Sequence, residues 1–157
     1  LTALFLPLLF FCQDPSADVG RFVQEGAYAD ALVAASGAEE PERSLLFTWT
    51  RHHAGDLYGA LAEATTGLAA HPEHVGLLEQ AAWISASLHR AEESMGYAER
   101  LEGLGHPTAS AFVSDARELL DVKEEVSRAQ DRANILLAAF ALLAVSVSAW
   151  GARAVSS

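Results

Sequence analysis

Gly55-Asp56-Leu57-Tyr58-Gly59-Ala60-Leu61-Ala62-Glu63-Ala64-Thr65-Thr66-Gly67-Leu68-Ala69-Ala70-His71-Pro72 is the stretch whose reading decides the fold. Ala60, Ala64 and Gly67 recur at helical spacing, and side chains this small let two helices approach closely. Gly55 before the run suits the positive-φ stop of a preceding helix, and Pro72 opens the next unit. Working outward, Gly26, Gly37 and Gly105 read as further stops, and Pro41 and Pro107 as first-turn residues. The expected helices are 16–25, 27–37, 42–53, 56–70, 74–88 and 90–104. None of these hairpins buries its apolar face alone, so neighbours must stack.

The pattern returns. Leu88-His89-Arg90-Ala91-Glu92-Glu93 occupies the next turn, with His89 in the place that Gly55 holds in the first. Tyr97-Ala98 and Leu101 continue that copy, and Pro107 arrives one place late. An earlier, shortened copy reads Gly26-Ala27-Tyr28-Ala29-Asp30-Ala31-Leu32. Gly55-Asp56, Ala60, Gly67 and Pro72 together resemble the tetratricopeptide repeat (TPR), whose helix–turn–helix unit recurs at a fixed period. The spacing from Gly55 to His89 equals that period. The first-helix aromatic and glycine of that family are here Ser44 and Thr48. The resemblance implies a short all-α, TPR-like right-handed solenoid over residues 13–106.

Past Pro107, Phe112, Ala116, Leu119, Val122, Val126, Ala129 and Ala133 form one helical stripe, with charged residues on the other faces. This predicts one long C-terminal helix from about 108 to 151. Residues 107–132 connect or cap, and a break near 127–134 is one variant. Between Arg132 and Arg153 no charge occurs. Residues 133–152, ~30 Å of helix at ~1.5 Å per residue, match a bilayer's hydrocarbon core. The helix is therefore expected to continue into a single transmembrane span. Trp150 suits the headgroup level, and Arg132 and Arg153 can reach the two surfaces. Residues 153–157 are a short tail. At the other end, residues 1–12 read as a hydrophobic anchor or signal-like segment without a basic start. Cys12 follows Phe11, where a lipoprotein box wants a small residue, so a lone membrane-proximal thiol is expected there.

Trp49 and Trp83 are one repeat period apart, so both fall at the same position of a repeat's first helix. The resemblance places that position on the concave, peptide-binding surface. Two indoles on adjacent ridges make an apolar platform for a partner. The competing reading has the C-terminal helix folding back over both. His52 and His53, one turn on, join the candidate partner-binding set, either contacting an acidic ligand or decorating the groove. Leu45 and Glu79 stand where a carboxylate clamp would need basic or amide residues, which argues against such a clamp. His71 and His74 flank Pro72 without a completing metal-ligand cluster.

Ten Lys and Arg face 21 Asp and Glu, a formal net charge of −11, which would repel a phosphate backbone; no nucleic-acid partner is expected. A single cysteine makes no internal disulfide or CxxC pair. No GxSxG elbow, HExxH helix, P-loop or Gly-rich dinucleotide turn occurs, so no catalytic residue, cofactor or metal site is assigned. The expected function is a non-catalytic, membrane-anchored scaffold. It would be an accessory subunit of a larger membrane complex, for example a photosynthetic reaction-centre/antenna or respiratory assembly in a bacterial inner membrane. An independent peptide-binding adaptor or assembly factor is the alternative. Arg117, Lys123, Arg128 and Arg132 before the span favour a cytoplasmic domain. The signal-like start favours export, and the periplasmic side is the expected one.

Overall fold

A computed structural model describes residues 15–155, with side chains described for 15–141. Among the described residues the protein is all-α. Seven helices run as consecutive antiparallel hairpins into a long last helix: α1 (Pro15–Gln24), α2 (Tyr28–Ala35), α3 (Glu42–His53), α4 (Leu57–Ala70), α5 (Val75–Ser87), α6 (Ala91–Gly103) and α7 (Ala109–Val155). The chain divides into two compact units, one ending at Ala116 and the other starting at Arg117.

The hairpins are α1–α2, α3–α4 and α5–α6. Between them, first helices meet first helices: α1 touches α3, and α3 touches α5. Second helices touch only the first helix that follows, α2 on α3 and α4 on α5; among the described residues no backbone contact joins α2 to α4 or α4 to α6. The stack is thus tight along its first helices and open along its second.

One turn is used repeatedly. After α1, α3, α5 and α6 a residue takes positive φ: Gly26 (74°), Gly55 (81°), His89 (56°) and Gly105 (70°). In each case the next residue's N–H reaches back five residues: Ala27 to Phe22, Asp56 to Arg51, Arg90 to Ser85 and His106 to Leu101, at 2.8–3.0 Å. The positive-φ residue itself bonds three back, so each is a Schellman close that satisfies two orphan carbonyls. Three of these positions are glycine, which bears no Cβ penalty there; His89 bears one. Gly37 has no positive φ, because the α2–α3 connection is built differently.

Pro72 and Pro107 lie in loops rather than in first turns. The start of α5 is set instead by His74, whose Nδ1 accepts the Leu77 N–H at 3.2 Å, and Pro41 stands just before α3.

Two apolar clusters carry the packing. Val19, Val23, Ala31, Ala35 and Leu46 join α1, α2 and α3. Ala60, Ala64, Leu77, Leu78, Ile84 and Leu101, with Ala109 and the ring of Phe112, join α4, α5, α6 and the start of α7. Each fully buried leucine or isoleucine there contributes about 1.5–3 kcal/mol relative to exposure. Gly67 of α4 sits against both α3 and α5. A Cβ added to it would lie 2.7 Å from Ser44 Cβ and 2.8 Å from Leu77 Cδ1. The small Ser44, one of the two departures from the repeat pattern, is the complement of that glycine.

α7 has no break near 127–134. Its first turns, at Ala109, Phe112 and Ala116, close the end of the hairpin unit. The expected transmembrane span at 133–152 is not found: among the described residues no helix is long and apolar enough to cross a membrane. From residue 142 on, the side chains lie outside those described, so only the first part of the apolar run falls among the described side chains. The N-terminal anchor reading of residues 1–12 also falls outside the described residues.

Candidate functional site

The four residues singled out on the first helices come together. Trp49 and His53 lie one turn apart on α3 with ring centroids 4.6 Å apart. His53 meets His52 at 5.1 Å, and His52 meets Trp83 of α5 at 4.3 Å, tilted by 47°. The result is an unbroken run of four rings, Trp49–His53–His52–Trp83, crossing from one hairpin to the next. The direct contact between α3 and α5 makes it possible.

The two ends of the run differ. Trp49 is half-buried and packs on the cluster of Val19, Val23 and Leu46. Trp83 is 46% exposed. Their surroundings repeat even so: His53 Nδ1 lies 3.0 Å from the Trp49 carbonyl, and at the matching place in the next hairpin Ser87 Oγ donates to the Trp83 carbonyl at 3.0 Å.

His52 is the hinge of the run. Its Nδ1 is buried and has no hydrogen-bond partner among the described residues, and the same holds for Gln80 Oε1. Burial holds the His52 pKa below its ordinary 6.5; the neighbouring His53 pushes the same way, and the Gln80 amide opposes them. His52 is therefore neutral at pH 7 and presents an aromatic face rather than a cation. Gln80 escaped the sequence reading. The signal was its place three residues before Trp83 on one helix, where side chains are neighbours.

Arg51, adjacent in sequence, is held elsewhere. Its guanidinium bonds Asp56 Oδ2 at 2.9 Å and approaches Glu63 Oε1 at 3.6 Å, tying the end of α3 to α4. Asp56 in turn accepts the Gly59 N–H at 2.9 Å and caps α4. His74 is a helix cap, as above. Among the described residues no group of three or more His, Cys, Asp or Glu side chains is placed to hold a metal ion.

A second concavity went unread in the sequence. The open side between α4 and α6 leaves a groove of about 540 Å³ walled by Tyr58, Leu61 and Tyr97. Arg90 stands over the Tyr58 ring, 5.5 Å from its centroid, and pairs with Glu93 at 3.3 Å. Tyr58 and Tyr97 sit in different copies at different repeat positions, so no period links them.

Of the membrane-interface residues, Arg132 is exposed on α7. Trp150 and Arg153 lie in its helical backbone, with side chains outside those described. Comparison with protein families, curated proteins and solved structures found no match to this chain.

Proposed function

We propose that this chain is a non-catalytic docking scaffold: a TPR-like hairpin stack, held at a bacterial inner membrane by residues 133–152, that clamps a neighbouring subunit of a larger membrane complex. The observation that carries the reading is the four-ring run ending in a half-exposed tryptophan. An indole left 46% exposed beside an uncharged imidazole offers a large apolar face with one N–H donor, the composition of an interface hot spot. The correspondence of Trp49 with Trp83 at one repeat period, and of their carbonyl partners, supports the repeat reading. The uncharged stretch between Arg132 and Arg153 supports the anchor, with the hairpins on the periplasmic side. A transient peptide-binding adaptor is the second reading; the groove between α4 and α6, open to a chain segment, favours it.

The test is purification of the full chain from membranes in mild detergent, with mass spectrometry of what accompanies it. A subunit brings its neighbours in fixed stoichiometry; an adaptor releases them. In the subunit case Trp83→Ser weakens retention by roughly 30-fold, the equivalent of ~2 kcal/mol at a hot spot, with helix content unchanged. Retention unaffected by that change removes the docking role from the ring run. Extraction of the chain by alkaline carbonate removes the anchor.

A further inference from the structure

From Asp121 to Ala141 every side chain of α7 is exposed, yet the sequence there is not that of a helix meant for water on all sides. Starting at Leu119, apolar residues recur at spacings of three and four without interruption: Leu119, Val122, Val126, Ala129, Ala133, Leu136 and Phe140. That is a heptad seam with Leu119, Val126, Ala133 and Phe140 at one core position and Val122, Ala129 and Leu136 at the other. In sequence it continues through Leu143, Val147 and Trp150. Val122 and Val126 are 53% and 59% exposed.

We infer that this seam pairs with the same seam of a second copy of the chain, forming a parallel, in-register two-stranded coiled coil over residues 119–133. Three observations select that occupant. First, the segment cannot be covered by lipid: Asp121, Lys123, Glu124, Glu125, Arg128, Asp131 and Arg132 lie within it. Second, the apolar positions hold the two core places of a heptad without a slip from Leu119 to Phe140, the narrow seam that two paired helices bury. Third, the flanking charges complement a second copy. Glu118 and Lys123 occupy the two positions that face each other between parallel strands, so each dimer gains the pair twice, and Glu125 faces the neutral Gln130. On the outer face, Glu124 and Arg128 pair along their own helix. A lone helix segment of this length is marginal in water, and most helical stability in proteins comes from a packed face; the second copy supplies that face.

The inference is independent of the Trp83 docking reading and of the membrane anchor, and one set of variants tests it. In the full chain carrying Cys12→Ser, single cysteines replace Val122, Val126 or, on the outer face, Glu124, and the purified proteins in mild detergent are oxidised. A parallel in-register pair brings equivalent core positions within the about 4.4–6.8 Å Cα separation that a disulfide needs, and keeps outer positions beyond it. The expected result is a covalent dimer at 122 and 126, several-fold stronger than at 124. Glu118→Lys or Lys123→Glu should weaken the Val126→Cys cross-link, and the two changes together should restore it. Unmodified chain should sediment as a dimer. Equal cross-linking at 122, 124 and 126, a monomer by sedimentation, or a charge swap that fails to restore the cross-link overturns the proposal. The replaced side chains are exposed, so helix content and tryptophan fluorescence should stay as in the parent. Carbonate extraction and partner retention, read on the same variants, report on the other readings separately.

Discussion

The hairpins α3–α4 and α5–α6 occupy the same repeat register and fill it in opposite ways. Ser44 and Gly67, a small pair in near contact, stand in the first; Leu78 and Leu101, both fully buried, stand at the same places in the second. The turn between helices repeats the contrast. Gly55-Asp56 supplies a residue free to take positive φ and a carboxylate that caps α4. His89-Arg90 holds the same backbone with a β-carbon in the left-handed region and no side-chain cap. Backbone hydrogen bonding recurs where side-chain chemistry does not, so the two hairpins share their Schellman closes while each sets its own packing volume, a close approach in the first and buried leucines in the second.

The largest expected effect tests the volume half of that statement. Leu101→Ala should destabilise the hairpin unit by about 2–5 kcal/mol, because a rigid setting collapses only partly around the cavity. In the first hairpin the same position fails in the opposite direction. Gly67→Ala should cost about 1–3 kcal/mol through overpacking against Ser44 and Leu77. Removing the Ser44 side chain with Ser44→Gly in the same chain should recover part of the Gly67→Ala loss, a coupling expected of residues in contact. Thermal melts followed by tryptophan fluorescence measure all three. Additive losses from Gly67→Ala and Ser44→Gly would show that the close approach is not what constrains this hairpin.

That architecture was legible in the sequence because its punctuation is local. Gly26, Gly55 and Gly105 end helices by a mechanism confined to a few residues, and small residues at Ala60, Ala64 and Gly67 mark a close approach whatever surrounds them. Trp49 and Trp83 could be grouped because one period carries them to adjacent ridges, and His52 and His53 because they lie one turn past Trp49. What was not legible depends on partners distant in sequence. His89, unlike a glycine, carries no local mark of a positive-φ residue. Pro72 and Pro107 suggested first turns, but the His74 cap starts α5 later and Pro107 stays in the loop. The groove between α4 and α6 arises from a contact that second helices do not make, and a missing contact leaves no mark in a sequence.

The turn half of the comparison predicts a gain. His89→Gly removes the Cβ conflict of a left-handed residue, about 1–2 kcal/mol, and gives back about 0.4–1 kcal/mol of unfolded-chain entropy. The variant should be more stable by roughly 0.5–1 kcal/mol, with the reverse change, Gly55→His, losing a similar amount. Chemical denaturation midpoints at constant slope measure both. If His89→Gly is neutral, contacts of the imidazole offset its backbone cost, and the two turns are closer in quality than their composition implies.

The smallest effect concerns the cap and is visible as a pH dependence. The Asp56 carboxyl sits below its ordinary 3.8, chiefly because the Gly59 N–H bonds its charged form and then because the Arg51 guanidinium does. A carboxyl whose folded pKa is depressed adds stability above its unfolded pKa and loses it as pH falls through the folded value. Asp56→Ala should therefore melt below the parent at pH 6, and the gap between the two should narrow as pH falls below 3.8 and close once Asp56 is protonated in the folded parent too. Glu40, held low mainly by the Ser44 Oγ hydrogen bond, is present in both proteins, so its own acid response cancels in the difference. Arg90, the counterpart of Asp56, has no carboxyl of its own to titrate and caps no N–H of α6 through its side chain. A gap between Asp56→Ala and parent that stays constant from pH 6 to pH 2 would mean that the residue acts through its size and not through its charge, and that the two turns differ in backbone strain alone.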